Sequence, residues 1–157
     1  MTKPRRPETM GKFTTKPIET PTIIRQLLPL FFVAAPPAAA DVFTFETPSE
    51  NIQCSVGLEQ DSSDIHCMIV ERHGPPAAPR PAGCVTDWGH SFYMTDHGPV
   101  QMLCEPVSYL REGFDRAEYG VTGTFGGFVC HSSTEGLECR NLDGHGFFLS
   151  RAVQRVF

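Results

Sequence analysis

The sequence predicts an all-β domain, a small antiparallel sandwich or barrel that three disulfides hold together. Three observations support this fold class. After Asp41, no stretch keeps apolar residues at helical spacing over three turns. Short runs rich in Val, Phe, Tyr, Ile and Thr are separated by Gly, Pro, Asn and Asp, which is typical of strands and turns. The same part of the chain holds all six cysteines, an even number that favours disulfides in an exported domain.

The first forty residues have the pattern of a secretory signal peptide. Six basic residues precede an apolar run from Leu27 to Ala35. This run is too short to span a bilayer, which needs about 20 residues, but it has the length of a signal core. Ala38 and Ala40 occupy the A-x-A positions of a cleavage site. We predict a signal peptide over residues 1–40, with Met10 as an alternative start and an uncleaved anchor as the rival interpretation.

Cleavage would leave residues 41–157 as a single acidic domain. This part holds seven arginines, no lysine and sixteen carboxylates, which gives a formal charge of −9. Nucleic acid and anionic membranes are therefore excluded as partners, because both are bound through clustered Lys or Arg. We expect a periplasmic or secreted domain with no membrane span after cleavage. Its expected partner is an unidentified envelope or extracellular protein or ligand, and a cationic one would approach most easily.

The strands are predicted from the apolar runs in chain order. They cover residues 42–46, 52–56, 65–71, 91–95, 100–104, 127–131, 137–140 and 147–150, and residues 151–157 form a final strand or one helical turn. Residues 72–83 predict a proline-rich loop, because proline cannot donate to a central ladder. The alternative, a disordered linker between two domains, would leave halves too small to stand alone. Residues 118–128 are glycine-rich and predict a flexible loop that enters a strand.

The cysteines are predicted to be structural. Five of the six follow an apolar residue two positions earlier, as in Ile52-Gln-Cys54 and Leu137-Glu-Cys139. Residues i and i+2 share a face of a strand, so these sulfur atoms should point into the core. Two segments, residues 54–67 and 130–139, then predict similar hairpins with facing cysteines, and Gly136 supplies the turn of the second. Among fifteen connectivities, sequential pairing is favoured: Cys54–Cys67, Cys84–Cys104 and Cys130–Cys139.

Neither a metal nor a cofactor is predicted. The cysteines lack the two-residue spacing of zinc ribbons and redox motifs. The six histidines contain no His-x-His or His-x-x-x-His pair, and His66 and His131 alternate with inward cysteines, so they should face outward.

One histidine is a weak catalytic candidate. His145 lies between two glycines, which would leave its ring accessible to act as an acid or base. The alternative is a simple turn built by Asn141, Asp143 and Gly144. No Gly-x-Ser-x-Gly frame activates a serine, so an enzyme is the less favoured prediction. Trp88 could stack on a ligand such as a sugar, or could belong to the core beside a disulfide.

Several motifs together resemble an uncharacterised family of small exported bacterial proteins, a domain of unknown function. The matching segments are FETPSENIQC (residues 45–54), CVTDWGH (84–90), and YG with GGFVCHSSTEGLECRNLDGHGFFLSR (119–151). Glu50 stands where that family usually has Gly, and CEPVSY stands where Cys-x-Asp-Thr is expected. The resemblance implies export and a disulfide-held β domain but no activity. Its motif positions that we would mutate first are Asp87, Trp88, Tyr119, Asn141, His145 and Ser150.

The favoured functional hypothesis is a non-enzymatic binding module of the cell envelope. We assign its candidate binding residues as Trp88, Tyr119, Asn141 and His145. Two alternatives remain: an inhibitor of a cationic hydrolase such as lysozyme, by analogy with small disulfide-bearing inhibitors, and a small hydrolase that uses His145. A purely structural protein would present no concave site.

Overall fold

The computed structural model describes residues 41–157, and the predicted signal peptide lies outside the described residues. Within them the chain is all-β, which confirms the predicted class, with eleven strands: β1 (Asp41–Glu46), β2 (Ile52–Leu58), β3 (Ser63–Ile69), β4 (Ser91–Thr95), β5 (Gln101–Leu103), β6 (Asp115–Arg116), β7 (Thr122–Phe125), β8 (Phe128–Ser133), β9 (Gly136–Arg140), β10 (Gly146–Leu149) and β11 (Gln154–Val156). No helix that could cross a membrane occurs in residues 41–157.

The strands form two sheets that are contiguous in sequence. The first sheet has the order β5-β4-β3-β2-β1-β6 and the second has the order β11-β10-β9-β8-β7. Neighbouring strands are antiparallel, except that β6 pairs with β1 in parallel. Each sheet is therefore largely a meander. Of the two predicted alternatives, sandwich and barrel, the two sheets form the sandwich.

The core lies between the two sheets. Phe45, Ile65 and Phe92 of the first sheet belong to the same buried cluster as Phe128 and Phe147 of the second. The rings of Phe92 and Phe147 approach to 5.8 Å between centroids, which is contact distance for an aromatic pair. The alternation of apolar and polar residues along each strand places these side chains on the inner faces.

Each sheet carries one disulfide between adjacent strands, and both point into the core. Cys54 faces Cys67 across β2 and β3, and Cys130 faces Cys139 across β8 and β9. The Cα atoms of both pairs lie 4.1 Å apart, and all four sulfur-bearing residues are at most 3% exposed. The two similar hairpins predicted from the sequence thus occupy the centres of the two sheets.

The third disulfide, Cys84–Cys104, lies outside the core cluster. Cys84 is buried, whereas Cys104 is exposed and follows the end of β5 at Leu103. The prediction of an inward Cys104 is therefore wrong. The chain leaves the sheet at this point, where Pro106 cannot donate a ladder hydrogen bond.

Two strands were not predicted. Residues 118–128 were expected to be a loop, but β7 within them pairs with β8. Gly123 weakens the strand pattern in the sequence, yet it is accommodated because the Phe125 ring lies over it. A Cβ at Gly123 would lie 2.7 Å from that ring. The other, β6, has only two residues, too few to show a pattern. At the C-terminus the strand alternative is the observed one, since β11 pairs with β10.

Candidate functional site

The four predicted binding residues do not come together. Trp88 lies beside the proline-rich loop, where it is half-buried and outside the core cluster. Its indole N–H donates to the Ala78 carbonyl at 2.9 Å. The Arg72 guanidinium donates to the carbonyls of Trp88 and Gly74, each at 2.9 Å. Trp88 therefore helps to hold the loop in place.

Asn141 fastens the loop between β9 and β10 to the loop after β4. The side chain is 7% exposed, and its amide donates to the carbonyls of Thr95 at 3.1 Å and Gly98 at 2.7 Å. Its oxygen accepts the Asp143 N–H at 3.1 Å. The loop comes from the second sheet and its partners follow a strand of the first, so Asn141 serves the packing of the sandwich.

His145 lies in the same loop and is half-buried. Among the described residues, its ring makes no hydrogen bond to a serine hydroxyl or a carboxylate, whereas its carbonyl accepts the Asn141 N–H at 2.8 Å. The nearby Asp143 instead pairs with His97, with Oδ1 and Nδ1 2.9 Å apart. This hydrogen bond raises the pKa of His97 and lowers the pKa of Asp143. The arrangement is that of a turn closed by an exposed ion pair.

Tyr119, the fourth predicted residue, lines a polar groove at the other end of the sandwich, which we call the turn-end groove. Its volume is about 250 Å³. Four separate segments build it: the turn between β1 and β2, the loop before β7, the turn between β8 and β9, and the loop after β10. Its lining residues are Thr47, Ser49, Asn51, Ile52, Tyr119, Ser133, Thr134, Glu135, Gly136, Ser150, Arg151 and Ala152.

The turn between β1 and β2 is rigid. The Thr47 N–H donates to the Ile52 carbonyl, the Thr47 carbonyl accepts the Glu50 N–H, and the Thr47 hydroxyl accepts the Ile52 N–H at 3.3 Å. The Asn51 side chain bonds both backbone groups of Glu71, at 3.0 and 2.8 Å, which ties the turn to the chain after β3. Glu50 has a φ of +54°, the left-handed conformation that glycine adopts at least cost.

The turn between β8 and β9 is closed by hydrogen bonds to the side chain of Ser133. The Ser133 hydroxyl accepts the N–H groups of Glu135 and Gly136, both at 3.3 Å, and donates to the Gly136 carbonyl. A Cβ on Gly136 would lie 2.3 Å from the Leu149 carbonyl oxygen, so only glycine permits this approach of β10. The Ser150 hydroxyl is similarly bonded to both backbone groups of Val153.

The groove therefore contains serines that close turns and a few side chains that project into it. The Tyr119 ring is 43% exposed. The Arg151 guanidinium contacts Glu71 only through Nε, at 3.4 Å, and the side chains of Thr134 and Glu135 are exposed. No histidine lines the groove within residues 41–157. The groove can offer a ligand the Arg151 cation, the Glu135 carboxylate, and the hydroxyls of Thr134 and Tyr119 together with the aromatic face of Tyr119. It holds neither an activated nucleophile nor a histidine base.

A polar cluster that the sequence did not suggest lies on the outer face of the first sheet. His66 Nε2 is 2.6 Å from Ser91 Oγ and 2.9 Å from Glu105 Oε1. The residue types match a Ser-His-acid triad, but the geometry does not: one ring nitrogen faces both partners, and Ser91 is 1% exposed and donates to Glu105. The cluster instead attaches the segment after Cys104 to the sheet. The only sequence signal for this cluster is the prediction that the His66 side chain faces outward.

Comparison with known proteins gives one match. A family model described as "Family of unknown function (DUF6636)" matches residues 25–157. No match was found among curated proteins or among solved structures. The matched range includes every residue of the turn-end groove.

Proposed function

We propose that this chain, which belongs to the Family of unknown function (DUF6636), is an exported, non-enzymatic binding domain whose ligand site is the turn-end groove. One observation carries the proposal. Residues from four distant parts of the sequence, three of which lie in the motifs TPSEN, SSTEG and LSR, converge on one groove. Local turn stability alone does not require the four turns to share a cleft.

The proposed compartment is the periplasm or the extracellular medium. Three disulfides in a domain of this length support it, because disulfides persist in oxidising compartments. The basic and apolar pattern of residues 1–40 supports it independently.

The proposed ligand is an envelope component rich in hydroxyl and amide groups, neutral or cationic overall. Arg151 and Thr134 can donate to such groups, Glu135 can accept from them, and the Tyr119 ring can pack against an apolar edge. The formal charge of −9 disfavours an anionic ligand.

The experiment captures ligand from an envelope extract with the oxidised protein and with groove variants. Arg151→Ala should reduce capture about 10- to 100-fold, since a hydrogen bond to a charged group contributes about 1.5–3 kcal/mol. Tyr119→Ala should weaken capture as well. Arg140→Ala is the matched control, because Arg140 pairs with Glu138 on the outer face of the second sheet. Equal capture by all four proteins would contradict the proposal.

Inhibition of a cationic hydrolase such as lysozyme is a second candidate, favoured only by the charge. If it is right, the protein slows lysozyme at low salt and loses this effect as salt screens the attraction. Unchanged hydrolysis at low salt would exclude this candidate. In the described residues, no hydrogen bond of the His145 ring to a serine hydroxyl or a carboxylate favours a hydrolase that uses His145.

A further inference from the structure

A second cavity lies between the two sheets, where β1 and β6 of the first sheet face β7 and β8 of the second. Its volume is about 190 Å³. We call it the inter-sheet cavity, and its apolar wall consists mainly of Phe43, Phe45, Ala117, Val121, Phe125 and Leu137. The turn-end groove shares none of these residues, so the two sites are independent.

Three aromatic rings form one side of the inter-sheet cavity. Phe45 and Phe125 are stacked, with centroids 5.1 Å apart and ring planes 8° apart. Phe43 is tilted by 51° to Phe125 at 6.3 Å and is 47% exposed. Such a set of ring faces and edges matches the geometry in which another aromatic ring packs favourably.

The two side-chain hydroxyl groups in the cavity lining are already used within the protein. The Ser132 hydroxyl donates to the Ala117 carbonyl at 2.9 Å, and the Thr44 hydroxyl donates to the Gly113 carbonyl at 2.5 Å. A buried water needs two to four polar partners, so this lining favours an apolar occupant over water. Apolar cavities of about 150 Å³ are known to stay dry and bind benzene, and the inter-sheet cavity is slightly larger.

The charges beside the cavity favour an uncharged occupant. Asp115 and Arg116 adjoin it with opposite signs, and Arg116 Nη2 also lies 3.4 Å from Glu50 Oε1. The described chain as a whole carries a formal charge of −9, which disfavours a carboxylate ligand.

We propose that the inter-sheet cavity binds a free, neutral aromatic compound of one or two rings. The aromatic wall packs on the ligand ring, and the ligand covers the exposed faces of Phe43 and Val121. Binding needs no chemical step, and it does not depend on the ligand of the turn-end groove.

The experiment titrates indole into the oxidised protein and follows backbone amide chemical shifts by NMR. Saturable shifts should be confined to β1, β7, β8 and the residues around Ala117. The larger N-acetyl-tryptophanamide and the anionic indole-3-acetate should each bind at least about tenfold more weakly than indole, where a factor of ten corresponds to 1.4 kcal/mol. Absence of saturable shifts would overturn the proposal. Tighter binding of N-acetyl-tryptophanamide would also overturn it, since it would indicate a protein side chain as the occupant.

A pair of variants tests the location. Ala117→Leu fills the cavity and should weaken indole binding at least about tenfold. Thr124→Leu adds the same side chain on the outer face of β7 and should leave the affinity within about twofold. If Ala117→Leu does not fold, the comparison of the three ligands on the unmodified protein still decides the question. A folded Ala117→Leu variant that binds indole as tightly as Thr124→Leu would refute the assignment.

Discussion

Mild reduction of the folded protein should open the Cys84–Cys104 disulfide before the other two. Thiol–disulfide exchange requires a thiolate to reach one of the two sulfur atoms, so its rate depends on access. Cys104 is exposed, whereas the four cysteines in the centres of the sheets are at most 3% exposed. Those four should react only after the sandwich opens.

The stability lost with each disulfide follows from the length of the loop that it closes. The sequence separations are 20, 13 and 9 for Cys84–Cys104, Cys54–Cys67 and Cys130–Cys139. The chain-entropy relation then gives about 3.3, 2.9 and 2.6 kcal/mol. Opening the first should leave a folded protein that is about 3 kcal/mol less stable. Opening all three removes about 9 kcal/mol, comparable with the total stability of a typical domain, about 5–15 kcal/mol, so complete reduction should unfold the protein.

The assay traps free thiols with iodoacetamide during exposure to dilute dithiothreitol and locates them by peptide mass spectrometry. Cys84 and Cys104 should be labelled first. Urea unfolding of the partly reduced protein should show the loss of about 3 kcal/mol in unfolding free energy. The double variant Cys84→Ala/Cys104→Ala is the control and should reproduce this loss without reductant. Labelling of Cys54 or Cys130 as early as Cys104 would refute the argument from access.

Three further predictions concern loops and can be checked by urea unfolding. Asn141→Ala should cost about 2–3 kcal/mol, because it removes two buried amide hydrogen bonds, whereas His145→Ala should change stability by less than about 0.5 kcal/mol. Equal effects of these two changes would contradict the structural role of the amide. The ion pair of His97 and Asp143 should stabilise the fold most between pH 3.8 and 6.5. Because the pKa of Asp143 is lowered, its contribution to stability is complete above pH 3.8 and is lost as the pH falls through the lowered pKa. Because the pKa of His97 is raised, its contribution to stability is complete below pH 6.5 and is lost as the pH rises through the raised pKa. A His97→Gln variant should therefore differ most from the parent inside this range, and a difference that does not vary with pH would refute the assignment. Gly89→Ala should destabilise the protein by at least about 1–2 kcal/mol, because the φ of Gly89 is +82° and a Cβ there would lie 2.6 Å from Pro76 in the proline-rich loop. An unchanged unfolding midpoint would argue against that packing.

The strands and the inward cysteines were predictable because their signals are local. Alternation along β2, β3, β8 and β9 can be recognised within seven residues. The observed burial follows it in β8 and β9, whereas in β2 and β3 the outward-facing Gln53 and Met68 are buried as well. The pattern fails at β7, where Gly123 looks like a strand breaker. The Phe125 ring leaves no room for a Cβ at this position, which is a contact that propensity does not encode.

The lining of the turn-end groove could not be predicted from the sequence because it depends on which turns meet in space. Tyr119 lines the turn-end groove, but Arg151 and Glu135 were not singled out, since nothing local distinguishes them from other surface charges. Asn141 and Trp88 lie in motifs and hold loops through side-chain hydrogen bonds, whereas His145 contributes its backbone carbonyl to the turn. A motif in the sequence draws attention to a residue, whereas the burial and hydrogen bonds of that residue show what its side chain does in the fold.

Two disulfides each join neighbouring strands of one sheet, and the third joins Cys84 and Cys104, which flank β4 and β5 of the first sheet, so none joins the first sheet to the second. Under mechanical load the oxidised chain would therefore first part between the two sheets, whose interface is held without covalent links, by packed side chains such as Phe92 and Phe147 and by hydrogen bonds such as those of Asn141. The covalent links would resist only the later stretching of each half. The disulfides would thus limit how far each half of the oxidised molecule can be extended, without covalently joining its two layers.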